Sequence, residues 1–130
     1  MARARILVAE DHALMRKRVV RLLKGEFEVL DAAADGQELL ELAARLNPDV
    51  CVLDICMPIM NGIEAAGQLR QNGSTAKIIF LTLYNDSDFV RAALKSGAEG
   101  YVIKAQMAAD LPLAVREVLA GRTFLSAGCT

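Results

Sequence analysis

The chain has 130 residues, 54% hydrophobic and 24% charged, with a formal net charge of -1. That length accommodates one domain burying roughly two-thirds of the surface its unfolded form exposes, and the apolar share excludes a disordered chain. The near-neutral balance excludes a whole-surface electrostatic grip on nucleic acid or an anionic membrane, so a charged partner must meet a local patch.

The first strand is expected over Arg5–Ala9, where the apolar run Ile6-Leu7-Val8-Ala9 gives way to the acidic pair Glu10-Asp11. This run is too short for a signal peptide or a membrane span, which leads us to expect a cytoplasmic protein without membrane contact. Met15, Val19, Leu22 and Leu23 then share one helix face, Arg16, Lys17, Arg18, Arg21 and Lys24 point elsewhere, and Gly25 offers a stop. That basic cluster reads either as a solvated face or as a docking surface. A second strand over Glu28–Ala33 precedes a helix marked by Leu39, Leu42, Ala43 and Leu46, closed by Asn47-Pro48.

The third strand, Asp49–Leu53, runs into Asp54-Ile55-Cys56-Met57-Pro58-Ile59-Met60-Asn61-Gly62, and a helix over Ile63–Gln71 ends at Asn72-Gly73. Gly62 and Gly67 have the spacing of a phosphate loop, but Gln68-Leu69 replaces the Lys and Ser/Thr that contact phosphate and metal, so they read as a turn and a packing point. Lys77–Thr82 is the fourth strand. Asp86 to Ser96 is the fourth helix, capped by Asp86 or Ser87 and followed by Gly97. Gly100–Ile103 is the fifth strand, ending at Lys104. Asp110 is expected to cap the last helix, with Pro112 in its first turn and Leu111, Val115, Val118 and Leu119 facing inward. Cys51, Cys56 and Cys129 show no Cys-x-x-Cys or paired-His spacing and read as reduced thiols, with Cys56 the candidate for oxidation.

Three of the five strands are continuous apolar runs, as strands covered on both faces are, and strand-helix alternation with short connections predicts an α/β, doubly wound parallel sheet with helices on both faces. Such sheets bind ligands outside the carboxyl ends of their strands. Glu10, Asp11, Asp54, Thr82 and Lys104 all stand at or just past such ends. Converging carboxylates repel unless a cation compensates, and Mg²⁺, which takes carboxylate, carbonyl and water oxygens and completes its shell with phosphate, is the expected ion. His12 reads as a loop residue, since a hard cation prefers oxygen. A carboxylate beside such an ion can attack phosphorus, with Lys104 neutralising the transferred group and Thr82 donating to it.

At these residues the sequence resembles the receiver domain of bacterial two-component response regulators. The likeness spans Glu10-Asp11, Asp54 within Asp-x-x-Met-Pro-x-Met-Asn-Gly, Leu81-Thr82 and Gly100-Tyr101-Val102-Ile103-Lys104. It implies a flavodoxin-like, CheY-like five-stranded sheet of order 2-1-3-4-5. It also implies Asp54 as acceptor of a phosphoryl group from a histidine kinase or phosphotransfer protein, and Asp11, Glu10, Asp54 and the Cys56 carbonyl as the magnesium set. Thr82 and Tyr101 would be the switch residues, with output through the fourth helix, the Tyr101 strand and the fifth helix, leading to dimerisation or effector release.

Thr82-Leu83-Tyr84, Ala105 after Lys104, and Gly121-Arg122-Thr123-Phe124-Leu125-Ser126 are similar to the NarL/FixJ (LuxR-type) class. By that likeness residues 1–121 form the receiver and residues 122–130 begin a linker to a helix-turn-helix output domain, through which alone DNA would be bound. Leu83 is bulkier than the usual residue and is expected to slow phosphorylation by small donors and subsequent hydrolysis. Ala105 stands where proline is common, so the preceding bond is either trans or strained. Two other functions compete: an interaction module that works without phosphorylation, and a phosphatase forming an aspartyl-phosphate. The latter usually has a second Asp two residues after the nucleophile, where this chain has Cys56.

Overall fold

Apolar runs without alternation need cover on both faces, and the computed structural model, which describes residues 3–83 and 87–127, supplies it. In chain order the elements are β1 (Arg5–Ala9), α1 (Ala13–Leu23), β2 (Glu28–Ala33), α2 (Gly36–Leu46), β3 (Val50–Asp54), α3 (Gly62–Gln71), β4 (Lys77–Thr82) and α4 (Ser87–Lys95). There follow β5 (Gly100–Ile103), a 3-10 turn (Lys104–Gln106), α5 (Met107–Leu119) and β6 (Phe124–Leu125). All sheet neighbours pair in parallel, in the order β2-β1-β3-β4-β5-β6.

Successive side chains of a strand point to opposite faces, so each strand feeds two apolar layers. Leu7, Cys51, Leu53, Ile78, Phe80 and Tyr101 pack with Leu39, Leu42, Ala65, Leu69, Val90 and Ala93 of α2, α3 and α4. Ile6, Val8, Val50, Val52, Ile79, Leu81 and Val102 pack with Val19 and Leu23 of α1 and Leu111, Val115 and Val118 of α5. β1 lies between β2 and β3, so strand order reverses there and leaves a crevice at the carboxyl ends.

The sheet has a sixth strand where five were expected. Phe124 and Leu125, inside the segment read as the start of a linker, pair with Gly100 and Tyr101. Two residues carry no periodicity that a sequence pattern could register. β3 is displaced by one residue from Asp49–Leu53 and includes Asp54, while the Asp49 carboxylate accepts the Arg5 N–H at 2.8 Å. α1 stops before Gly25, which lacks a left-handed φ, whereas Asn47 (φ 50) and Gly97 (φ 93) do turn the chain out of their helices.

α5 begins at Met107 rather than after Asp110, because the 3-10 turn following Lys104 leads straight into it. Asp110 is therefore no cap, Pro112 falls beyond the first turn, and Leu119 is exposed rather than inward. α4 begins at Ser87; Asp86, the other expected cap, and Cys129 lie outside the described residues.

Candidate functional site

Parallel register brings the strand ends level. Ala9 pairs with Leu53, Asp54 with Leu81 and Thr82 with Ile103, so Glu10, Asp54, Thr82 and Lys104 emerge side by side along one edge of the sheet. The loop after β3 is held close: Gly62 donates its N–H to the Ile55 carbonyl at 2.8 Å, and a Cβ on Gly62 would overlap the Asp54 carbonyl oxygen. An Asn61/Glu64 capping box then starts α3, with Glu64 N–H donating to Asn61 Oδ1 at 2.8 Å and Asn61 N–H to Glu64 Oε1 at 3.1 Å.

Glu10 is 1% exposed and fully bonded. Its Oε1 accepts from Lys104 Nζ at 2.6 Å, its Oε2 from the His12 N–H at 3.0 Å, and its carbonyl from the Arg16 guanidinium at 2.9 Å. Buried Asp54 accepts from Lys104 Nζ at 3.1 Å and from the Cys56 N–H at 3.3 Å. Asp11 is exposed. One ligand oxygen from each of Glu10, Asp11 and Asp54 lies within 4.8 Å of the others.

Partial desolvation raises the Asp11 pKa, and a hydrogen bond and repulsion from Glu10 raise it further. Burial alone would depress the Lys104 ammonium, but the bonds and attraction of Glu10 and Asp54 outweigh it and the net shift is upward. Three carboxylates and one ammonium leave a formal charge of -3 + 1 = -2, which one divalent cation neutralises. The donors are all hard oxygens and one of the three acids faces water, so the residues fit Mg²⁺ with part of its shell left to solvent or phosphate.

Thr82 is buried at the end of β4, and Tyr101 is wholly buried in β5 against the α2–α4 layer. Cys56 is exposed beside the acids, and Leu83 is 70% exposed. No peptide bond among the described residues is cis, so the Lys104–Ala105 bond is trans.

Three residues of this neighbourhood escaped the sequence reading. Arg16 was grouped with the basic face of α1, yet it ties that helix to the end of β1. His12 caps α1, its Nδ1 accepting from the Met15 N–H at 3.4 Å, while its own N–H fixes Glu10. Ser126 closes the ending that resembles the NarL/FixJ class, but nothing in the sequence links it to the strand ends of the site.

The sequence profile of the response regulator receiver domain matches residues 6–116. The chain belongs to that family. The transcriptional regulatory protein DegU of Brevibacillus brevis is 38% identical over 122 residues, covering 92% of this chain and 52% of DegU. The nitrate/nitrite response regulator protein NarL of Escherichia coli K12 is 36% identical over 129 residues, covering 98% of this chain and 60% of NarL. The chain thus spans about half to three-fifths of the length of these relatives. A crystal structure of a LuxR-family two-component response regulator from Aurantimonas sp. SI85-9A1 superposes with a TM-score of 0.92 at 35% identity, covering 98% of this chain and 93% of that one. The receiver is of the NarL, LuxR-type class and serves phosphorylation-dependent signal receipt in two-component systems. Among the described residues no helix is long and apolar enough to cross a membrane.

Proposed function

We propose that Asp54 of this receiver accepts a phosphoryl group from the phosphohistidine of a sensor histidine kinase or phosphotransfer protein. A carboxylate oxygen of Asp54 forms the new bond to phosphorus as the P–N bond breaks; the imidazole keeps the electron pair and takes a proton from solvent. Glu10, Asp11, Asp54 and the Cys56 carbonyl would hold Mg²⁺, which when bound offsets negative charge on the transferred group. Lys104 carries the fixed positive charge, and Thr82 supplies a hydroxyl to a phosphoryl oxygen.

Phosphorylation adds roughly -1.5 to -2 charges and three acceptor oxygens beside Thr82 and Lys104. Thr82 and Tyr101 then shift the packing of the α4-β5-α5 face, which controls dimerisation or a DNA-binding output domain elsewhere in the regulator, all in the cytoplasm. The domain is the recipient of phosphotransfer and does not turn over a separate substrate. The observation that carries this reading is the meeting of Glu10 and Asp54 on one Lys104 ammonium, at 2.6 and 3.1 Å.

Incubation with acetyl phosphate and MgCl2, followed by intact-mass measurement, is expected to add one phosphoryl group to the wild type and none to a folded Asp54→Asn variant. Labelling of Asp54→Asn to the wild-type extent would overturn the assignment of the acceptor.

A further inference from the structure

Beyond the last residue matched by the family profile, the chain makes an ordered return to the sheet. Phe124 N–H donates to the Glu99 carbonyl at 3.0 Å and Ser126 N–H to the Tyr101 carbonyl at 2.9 Å, extending the parallel ladder along β5. At Ser126 the pattern changes from backbone to side chain. The Ile103 N–H donates to Ser126 Oγ at 3.0 Å, and the Ser126 hydroxyl donates to Asp110 Oδ2 of α5 at 2.7 Å. Ser126 is 1% exposed, so water does not substitute for it at the Ile103 amide.

Ile103 immediately precedes Lys104, and its amide is the last of β5 before the chain turns into the 3-10 turn. We infer that Ser126 is a positioning residue for Lys104: its hydroxyl, oriented by Asp110, holds the end of β5 at the height from which Lys104 Nζ reaches both Glu10 and Asp54. This rests on the reading of Lys104 as the cation that meets the phosphoryl group. The functional receiver then extends through Ser126. The bond that fixes Ile103 also fixes the chain leaving the domain.

Ser126→Ala tests this, with Leu125→Ala as its partner: Leu125 is half-buried in the same strand and its side chain makes no bond to Ile103. The first readout needs no phosphate, namely the ¹⁵Nζ and ¹³Cε resonances of Lys104 in the metal-free protein. Ser126→Ala is expected to move them toward free-lysine positions and Leu125→Ala to leave them in place; unmoved resonances in Ser126→Ala would overturn the inference.

The second readout is the initial rate of phosphorylation by acetyl phosphate with MgCl2, measured by intact mass in wild-type and Lys104→Met backgrounds. Ser126→Ala is expected to slow the wild type about fivefold, the size of one lost buried hydrogen bond, and to change Lys104→Met by less than about twofold. Equal losses in both backgrounds would show that Ser126 acts on stability rather than through Lys104. A wild type that takes no phosphate defeats the proposed function, while the lysine resonances still decide the role of Ser126.

Discussion

The Cys51 and Cys56 thiols sit in opposite surroundings. Cys51 is buried in β3, where burial pushes its pKa from an ordinary 9.0 up to about 12, whereas Cys56 is exposed beside the acids. A thiolate is the reactive form. Iodoacetamide at neutral pH is therefore expected to modify Cys56 in the folded protein and Cys51 only after unfolding, as peptide mapping would record. Linkage gives a second expectation. Above pH 9.0 the unfolded chain loses a Cys51 proton that the folded state retains, so stability falls as pH rises from 9.0 toward 12. The slope from this one group is about 1.4 kcal/mol per pH unit. Urea unfolding across that window should show the stability of wild type relative to Cys51→Ala falling at about that rate; a constant difference would refute the assignment.

At the scale of an element, α3 contains two glycines with opposite roles. A Cβ at Gly62 meets the Asp54 backbone, which cannot move without displacing the acid, whereas Gly67 has nothing within 4 Å of its would-be Cβ. Gly62→Ala is thus expected to cost about 3 kcal/mol, and Gly67→Ala to gain about 0.5 to 1 kcal/mol by removing backbone entropy from a helix interior. Chemical denaturation of the pair checks both signs. The sequence pattern had already separated these two glycines from a phosphate loop and read them as a turn and a packing point; the close approach is at Gly62 and Gly67 is open, a distinction that lies in what approaches them across the fold. The same limit explains where the element reading failed. β1, β2, β4 and β5 lie at their expected bounds; in β1, β4 and β5 burial is written in consecutive residues, whereas the edge strand β2 buries only Ala33 fully. Asp110 looked like a helix cap because capping chemistry suits Asp, but it bonds Ser126, a partner set only by the return of the chain as β6. The acidic site was legible because each member stands at the end of a strand, whereas Arg16 and Ser126 act through backbone atoms that no spacing rule identifies.

For the molecule as a whole, a net charge of -1 conceals a site whose own formal charge is -2, so folding without metal must hold like charges together. Lys104 carries much of that load: with side-chain exposures of 10% for Lys104 and 2% for Glu10, removing the ammonium leaves a buried carboxylate unpaired. Lys104→Met is therefore expected to lower metal-free stability by about 3 kcal/mol. The same change deepens the local charge from -2 to -3, while Asp11→Asn reduces it to -1. A ligand that binds only the folded state adds RT ln(1 + [L]/Kd), about 2.7 kcal/mol at a hundredfold excess over Kd. For a domain of this size that raises Tm by roughly 10 °C. At one fixed MgCl2 concentration the rise in Tm should accordingly be largest in Lys104→Met, intermediate in the wild type and smallest in Asp11→Asn. Thermal unfolding of the three proteins with and without MgCl2 decides it. A Lys104→Met variant that gains less from magnesium than the wild type would mean that the ammonium helps to hold the metal, contrary to the charge balance argued for this site.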